Sequence, residues 1–164
     1  TLEPARGAFV AAPTATEARQ ALAARRMLAA EMTRAFIRDV TPARLKVLKD
    51  HVAQEKKAMQ SNNASERVEL LGDFHVRMAE RMGNDVLARM LGELISRCSL
   101  ITLMYQSATA AQHSADEHAD IVKALAAKDE ATAVRLMTEH LLHVEENLVF
   151  DRKLPTNDIS LALS

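Results

Sequence analysis

The chain has few of the residues that end helices or cross-link a fold. Among its 164 residues are only four glycines and four prolines, which leaves long stretches free to form helices. Cys98 is the only cysteine, so a disulfide within the chain is excluded and a reducing, cytoplasmic location is expected. Aromatic residues make up 3% of the sequence and tryptophan is absent, which argues against a surface that stacks nucleic-acid bases.

The sequence also lacks a strong charge imbalance and a long apolar run. Its formal net charge is -1, so composition gives no electrostatic basis for DNA binding by these residues. The most apolar stretch, residues 86–104, is interrupted by Arg89, Glu93 and Arg97 and therefore does not predict a membrane span. With 48% hydrophobic residues, the chain fits a single globular domain with a sizeable core.

Apolar residues recur with the period of an α-helix from Thr14 onward, which predicts an all-α antiparallel bundle of about six helices. Thr41-Pro42 is typical of a helix start, and Ser114 with Glu117 predicts a capping box at the start of the fifth helix. The fourth helix is the most apolar and is expected at the centre of the bundle. The predicted helices cover about 14–39, 41–60, 65–82, 85–107, 114–127 and 130–151.

Residues 1–13 break this pattern and predict a short extended arm before the bundle. Pro4, Gly7 and Pro13 bracket the run 8–11, which is typical of one strand and has no partner strand elsewhere in the chain. A lone strand is unstable, so its partners are expected outside this sequence. The chain therefore divides into the arm and a helical domain, residues 14–164.

Three of the six histidines lie on apolar stripes of three different predicted helices: His75, His118 and His140. Taken singly, each is best explained as a core histidine with a hydrogen-bonding partner. Together, the three histidines support a metal site and the core-histidine interpretation equally. An unpartnered buried polar group costs about 1–3 kcal/mol, and the core offers few partners. Neutral imidazoles from several helices suit Zn²⁺ or Ni²⁺.

Arg97 shares its predicted stripe with apolar residues of the fourth helix, including Leu94 and Ile101. A buried arginine needs an anion. That anion is either an internal carboxylate, such as Glu93, or the carboxylate of a bound ligand held by both guanidinium arms. Arg19 lies on the first helix, where an arginine is more often part of a solvated face than of a site.

Several separated motifs make residues 17–148 resemble the ligand-binding domain of GntR-type transcription regulators of the FadR subfamily, called the FCD domain. The first motif of the family is Phe-His, followed by an Ala and then by Gly-Asn, and the chain matches it once. The later Glu-His and His-Leu motifs follow in the same order. The matching residues are Phe74-His75, Ala79, Gly83-Asn84, Glu117-His118, Ile121, Ala124-Leu125, Asp129 and His140-Leu141.

The resemblance implies a homodimeric helical bundle that binds a small organic or sugar acid at a divalent metal, zinc or nickel. His75, His118 and His140 match the family's histidine ligands, and Arg19 matches an arginine near the start of its first helix. The family's aspartate ligand stands four residues before the first histidine, where this chain has Leu71. By the same resemblance, residues 1–13 are the end of a wing strand and linker from a winged-helix domain that lies outside this sequence.

The function expected from these residues is effector sensing by a transcription regulator, with DNA contacted only through that other domain. Arg97 and Arg19 are the predicted effector-binding residues, and no catalytic arrangement stands out. Two alternatives remain open. Three histidines with an open coordination position also suit a metalloenzyme, and satisfied core histidines would suit a metal-free structural dimerisation bundle.

Overall fold

A computed structural model describes residues 2–3, 7–8, 14–61, 63–105 and 110–148. Two short strands precede six helices, which confirms the predicted all-α bundle. The strands are β1 (Leu2–Glu3) and β2 (Gly7–Ala8). The helices are α1 (Ala15–Arg38), α2 (Pro42–Ala58), α3 (Ala64–Arg81), α4 (Asp85–Tyr105), α5 (Ala110–Ala126) and α6 (Glu130–Glu146).

Side-chain caps fix most of the helix starts. Thr14 forms a capping box with Glu17 at the start of α1, and Thr41 accepts a hydrogen bond from the Arg44 amide at the start of α2. Asp129 caps α6 in the same way. These caps explain why the predicted and observed boundaries of α1, α2 and α6 agree at their amino-terminal ends.

Two local predictions are wrong. The fifth helix begins at Ala110, so Ser114 lies inside α5 and is buried, and Glu117 does not cap it. The arm is not a lone strand, because β1 pairs antiparallel with β2 in the register Leu2 to Ala8. The arm therefore supplies its own strand partner, and its origin in a winged-helix domain stays a prediction.

The prediction that the most apolar helix is central is also wrong. In the described part of the chain, the main contacts of α4 are with α3 and α1, whereas α3 contacts α1, α2, α4 and α5. Gly72 permits the close contact between α3 and α4: a Cβ there would lie 2.8 Å from Ile95 Cγ2 and 3.1 Å from Ser99 Oγ.

One large cluster of buried side chains forms the core, and all six helices contribute to it. Phe36 and Phe74 are fully buried within it, as are Leu48, Met78 and Ile121. In the described part of the chain, no helix is both long and apolar enough to cross a membrane.

Candidate metal and effector site

The structure brings His75, His118 and His140 together inside the bundle. They come from α3, α5 and α6, and their side chains are between 0% and 2% exposed. One ring nitrogen from each lies within 4.8 Å of the others, and the Nε2 atoms of His118 and His140 are 3.1 Å apart. Two nitrogens that share one metal at about 2.0–2.1 Å lie about 2.9–3.4 Å apart. The spacing of this pair therefore suits a common ion.

The ring of Phe74 contacts the imidazole rings of His118 and His75. Its ring stacks on His118 with centroids 4.0 Å apart, and it meets the ring of His75 edge-on at 5.4 Å. Phe74 is fully buried and adjoins His75 in sequence, so the Phe-His pair directs one side chain to the core and the next to the cluster. The stacked ring limits how far His118 can rotate.

Glu55 of α2 is a buried partner of two histidines. Its carboxylate oxygens accept a hydrogen bond from His118 Nδ1 at 2.9 and 3.0 Å, and His51 Nε2 lies 3.3 Å from Oε1. Burial acts to raise the pKa of Glu55, but the contact with His118 more than offsets it, so the pKa is lowered and the carboxylate is ionised at neutral pH. A carboxylate that fixes a metal-binding imidazole is a common arrangement.

Glu117 has the same relation to His140. One of its oxygens accepts a hydrogen bond from His140 Nδ1 at 2.7 Å, and the other accepts one from the exposed His143. Burial and the neighbouring His118 lower the pKa of His140 to about 4, so its ring is neutral at pH 7. Glu117 thus connects a buried histidine to the surface.

These contacts determine where the ring protons lie. Because each Nδ1 donates to a carboxylate, a neutral His118 and a neutral His140 both present an Nε2 lone pair to the cluster. Two lone pairs 3.1 Å apart repel each other unless a metal ion or a proton on one of the nitrogens lies between them. The arrangement of the pair therefore matches that of a metal-binding pair of imidazoles.

His75 gives a second indication of a metal site. Both of its ring nitrogens are buried and have no hydrogen-bond partner. Burial, together with the charge of Arg25 nearby, holds its pKa well below the usual value, so protonation does not satisfy the ring. An orphaned imidazole costs about 1–3 kcal/mol, and a metal bond would remove that cost. The donor set therefore fits Zn²⁺ or Ni²⁺.

A small cavity of about 30 Å³ lies beside the histidines, between five helices. Arg25 of α1 lines it and is 6% exposed. The guanidinium lies near the Cys98 thiol, its Nε has no hydrogen-bond partner, and no described carboxylate lies within ion-pair distance. Burial lowers the pKa of Arg25. The other polar side chains on the cavity wall are Ser99, Thr102, Ser114 and His140.

The predicted burial of Arg97 is wrong. Arg97 and Arg19 are both exposed. Arg97 lines a surface groove between α1 and α4 that includes Glu17 and Glu93 but none of the three clustered histidines. An effector role for these two arginines stays a prediction. The arginine that occupies the interior is Arg25.

Leu71 occupies the position where the family has its aspartate ligand. Leu71 is buried on the wall of the Arg25 cavity, where an aspartate would face the site. Asp73 lines a different groove, between α3 and α4, as its rotation along the helix predicts. Among the described residues, the potential metal ligands that converge are the three histidines alone.

Sequence reasoning missed Arg25 and Glu55, although both carry a detectable signal. Arg25 stands in the buried stripe of α1 that runs through Ala18, Leu22 and Ala29. Glu55 likewise interrupts the buried stripe of α2. A charged residue at the centre of an apolar stripe indicates a buried partner or ligand.

The structure defines a helical domain with a buried histidine cluster, and comparison with known proteins identifies its family. The model of the FCD domain family matches residues 20–143, so this chain belongs to the FCD domain family. No curated protein matches the sequence.

Two solved structures share the fold. Streptococcus agalactiae GntR is 19% identical with a TM-score of 0.68, over 79% of this chain and 58% of its own. E. coli McbR/YncC is 16% identical with a TM-score of 0.74, over 89% of this chain and 74% of its own. This chain therefore spans little more than half the length of the Streptococcus protein.

Proposed function

We propose that this chain is the effector-sensing domain of a bacterial DNA-binding transcription regulator. It binds a small organic or sugar acid at a divalent metal, zinc or nickel, and works as a homodimer. The observation that carries this proposal is Arg25, a buried cation that faces a cavity without a carboxylate partner. A buried charge of this kind is stabilised by a bound anion.

The cavity offers recognition that suits a hydroxylated acid. The planar guanidinium of Arg25 can hold a carboxylate by two parallel hydrogen bonds. Ser99 and Thr102 supply hydroxyl groups on the same wall. Because the cavity is only about 30 Å³, far smaller than a typical small-molecule site, an acid would bind there only as the surrounding helices move apart. A metal held by His75, His118 and His140 would supply positive charge and open coordination positions for the same ligand.

Ligand binding would act on the bundle as a whole. The cavity wall includes Arg25 from α1, Leu71 from α3, Thr102 from α4, Ser114 from α5 and His140 from α6. A ligand that contacts all five helices selects one arrangement of them over another. A difference in affinity between two arrangements is what changes the activity of an attached DNA-binding domain.

Metal binding is tested by elemental analysis of the purified chain after loading with zinc or nickel. The parent is expected to retain about one ion per chain, and His118→Ala to retain almost none, because it removes a ligand. His113→Ala is the matched control, an exposed histidine on the same helix. Equal metal content in all three proteins would contradict the site.

Effector binding is tested by thermal unfolding in the presence of a panel of organic and sugar acids. A true effector at 100 times its Kd is expected to stabilise the parent by about 2.7 kcal/mol. Arg25→Met should abolish this gain, whereas Arg97→Ala and Arg19→Ala should keep it because both side chains are exposed. Loss in either surface variant would support the sequence prediction instead.

The same panel separates the competing functions. No stabilisation by any acid or metal would indicate a structural dimerisation bundle. Conversion of an acid to product would indicate a metalloenzyme.

A further inference from the structure

The cavity beside the histidines contains a positive charge that the described residues do not balance. Arg25 of α1 is 6% exposed, its Nε has no hydrogen-bond partner, and it forms no ion pair with a described carboxylate. An arginine side chain keeps its proton inside proteins. A charge this deeply buried needs an anion close to it, because its removal from water is costly.

The neighbouring ionisable groups do not provide that anion. Burial raises the pKa of the Cys98 thiol more strongly than the guanidinium of Arg25 lowers it, so the thiol is neutral at pH 7. The pKa of His75 is lowered, by burial first and then by the charge of Arg25, so this ring is neutral as well. The counter-charge of Arg25 therefore has to come from outside these groups.

The size of the cavity limits what this counter-charge can be. The volume is about 30 Å³, and one buried water requires about 10–15 Å³ of such space. One small ion fits in this volume, whereas an organic acid does not. A water molecule would fit too, but it would leave the charge of Arg25 unbalanced.

We propose that, in the absence of an effector, this cavity binds a monoatomic anion, which is chloride under ordinary ionic conditions. The guanidinium of Arg25 supplies the charge, and the hydroxyl groups of Ser99 and Thr102 on the same wall supply further hydrogen-bond donors. The bound ion balances the buried cation while the helices stay closely packed.

Leu71 explains why the chain needs an ion from solution. It lies on the wall of the same cavity as Arg25, and its side chain is apolar. A carboxylate at this position would face the cavity and could pair with the guanidinium. With leucine there instead, the wall carries one positive charge and no fixed negative charge.

The anion site requires neither the metal nor the effector, but it affects the proposed function. An acid that binds to Arg25 has to displace the chloride ion, so the two ligands compete. The apparent Kd of an effector is therefore expected to rise in proportion to the chloride concentration once chloride saturates the site.

Unfolding of the metal-free chain by urea is the first test. Sodium chloride is varied against sodium methanesulfonate at constant ionic strength, because the methanesulfonate anion is too large for the cavity. Above saturation, the folding equilibrium constant is expected to rise about tenfold for each tenfold increase in chloride, which is the response to one bound ion.

Three variants assign this response to the cavity. Arg25→Met removes the charge and Leu71→Asp supplies an internal carboxylate, so both should lose the chloride response. Arg25→Met is expected to fold, because it replaces an unpaired buried charge by an apolar side chain. Arg26→Met is the matched control and should keep the response, since Arg26 is partly exposed and pairs with Glu145.

Bromide gives the position of the ion. Crystals of the parent grown in sodium bromide are expected to show an anomalous peak beside the guanidinium of Arg25, and crystals of Arg25→Met to show none there. Water alone in the parent cavity would overturn the proposal. Equal stability in chloride and methanesulfonate, or a chloride response that persists in Arg25→Met, would overturn it equally.

Competition separates this proposal from the proposed function. Binding of an acid through Arg25 without any dependence on chloride would overturn the chloride site and leave the sensor function intact. A chloride response without binding of any acid would support the anion site and count against the proposed function alone.

Discussion

Replacement of Glu55 by alanine is expected to lower the free energy of unfolding of the metal-free protein by about 3–5 kcal/mol. The carboxylate is fully buried and accepts hydrogen bonds from His118, with His51 beside it. Without it, two buried imidazoles lose their common acceptor and the core holds a void. Few other single substitutions should affect both the fold and the site this strongly.

Chemical denaturation after treatment with a chelator gives the measurement. Glu55→Gln keeps an acceptor oxygen, so it should lose less stability, while zinc affinity still falls by about 10–100-fold as for other partners of ligand histidines. Glu80→Ala serves as the control, because this exposed carboxylate on α3 should change stability by about 0.5 kcal/mol or less. Unfolding at the same denaturant concentration in Glu55→Ala and Glu80→Ala would rule out the role given to Glu55.

Replacement of Phe74 by alanine is expected to cost about 3–5 kcal/mol, since the ring is fully buried in the main core cluster. It should also weaken metal binding, because the ring stacks on His118 and meets His75 edge-on. Two effects of one side chain are thus combined: packing of the core and orientation of two ligands.

Phe36 separates these two effects. It is equally buried in the same cluster, and the described ring contacts do not join it to the histidines. Phe36→Leu and Phe74→Leu should lose comparable stability, about 1–1.5 kcal/mol, but only Phe74→Leu should bind zinc more weakly by calorimetric titration. A similar zinc affinity in the two leucine variants would show that Phe74 only packs the core.

The inward direction of the three histidines was predictable because each stands near the centre of an apolar stripe. His118 is followed by Ile121, Val122 and Leu125, all buried, and the same periodicity places His140 beside Met137 and Val144. Helical periodicity fixes the direction of a side chain around its own helix. That information was enough to group these histidines as one candidate site.

Periodicity was insufficient for Arg97, which stands at the edge of its stripe. Leu94 and Ile101 point inward, but Met90 is 56% exposed, and Arg97 lies on the side of Met90. A stripe is wide enough that its edge residues can face either the core or solvent. The apolar content of α4 added to the error, because it indicates burial against some partner without saying whether that partner is in the same chain.

Pairing between helices was the part that one sequence could not supply. Glu55 and His118 are 63 residues apart, and nothing in their local patterns associates α2 with α5. The same holds for Glu117 and His140. The Ser-x-x-Glu pattern at Ser114 even suggested a local role for Glu117, yet its side chain reaches across to α6.

The close contact between α3 and α4 at Gly72 couples the position of the histidine cluster to that of α4. Because Gly72 has no Cβ, the backbone of α3 packs directly against Ile95 of α4. This close packing leaves little room for α3 and α4 to move relative to each other. His75 lies one turn along α3 from this contact. A ligand that displaces His75 would therefore be expected to move α3 and α4 together. The movement would reach the outer surface of α4 without a rearrangement of the rest of the core.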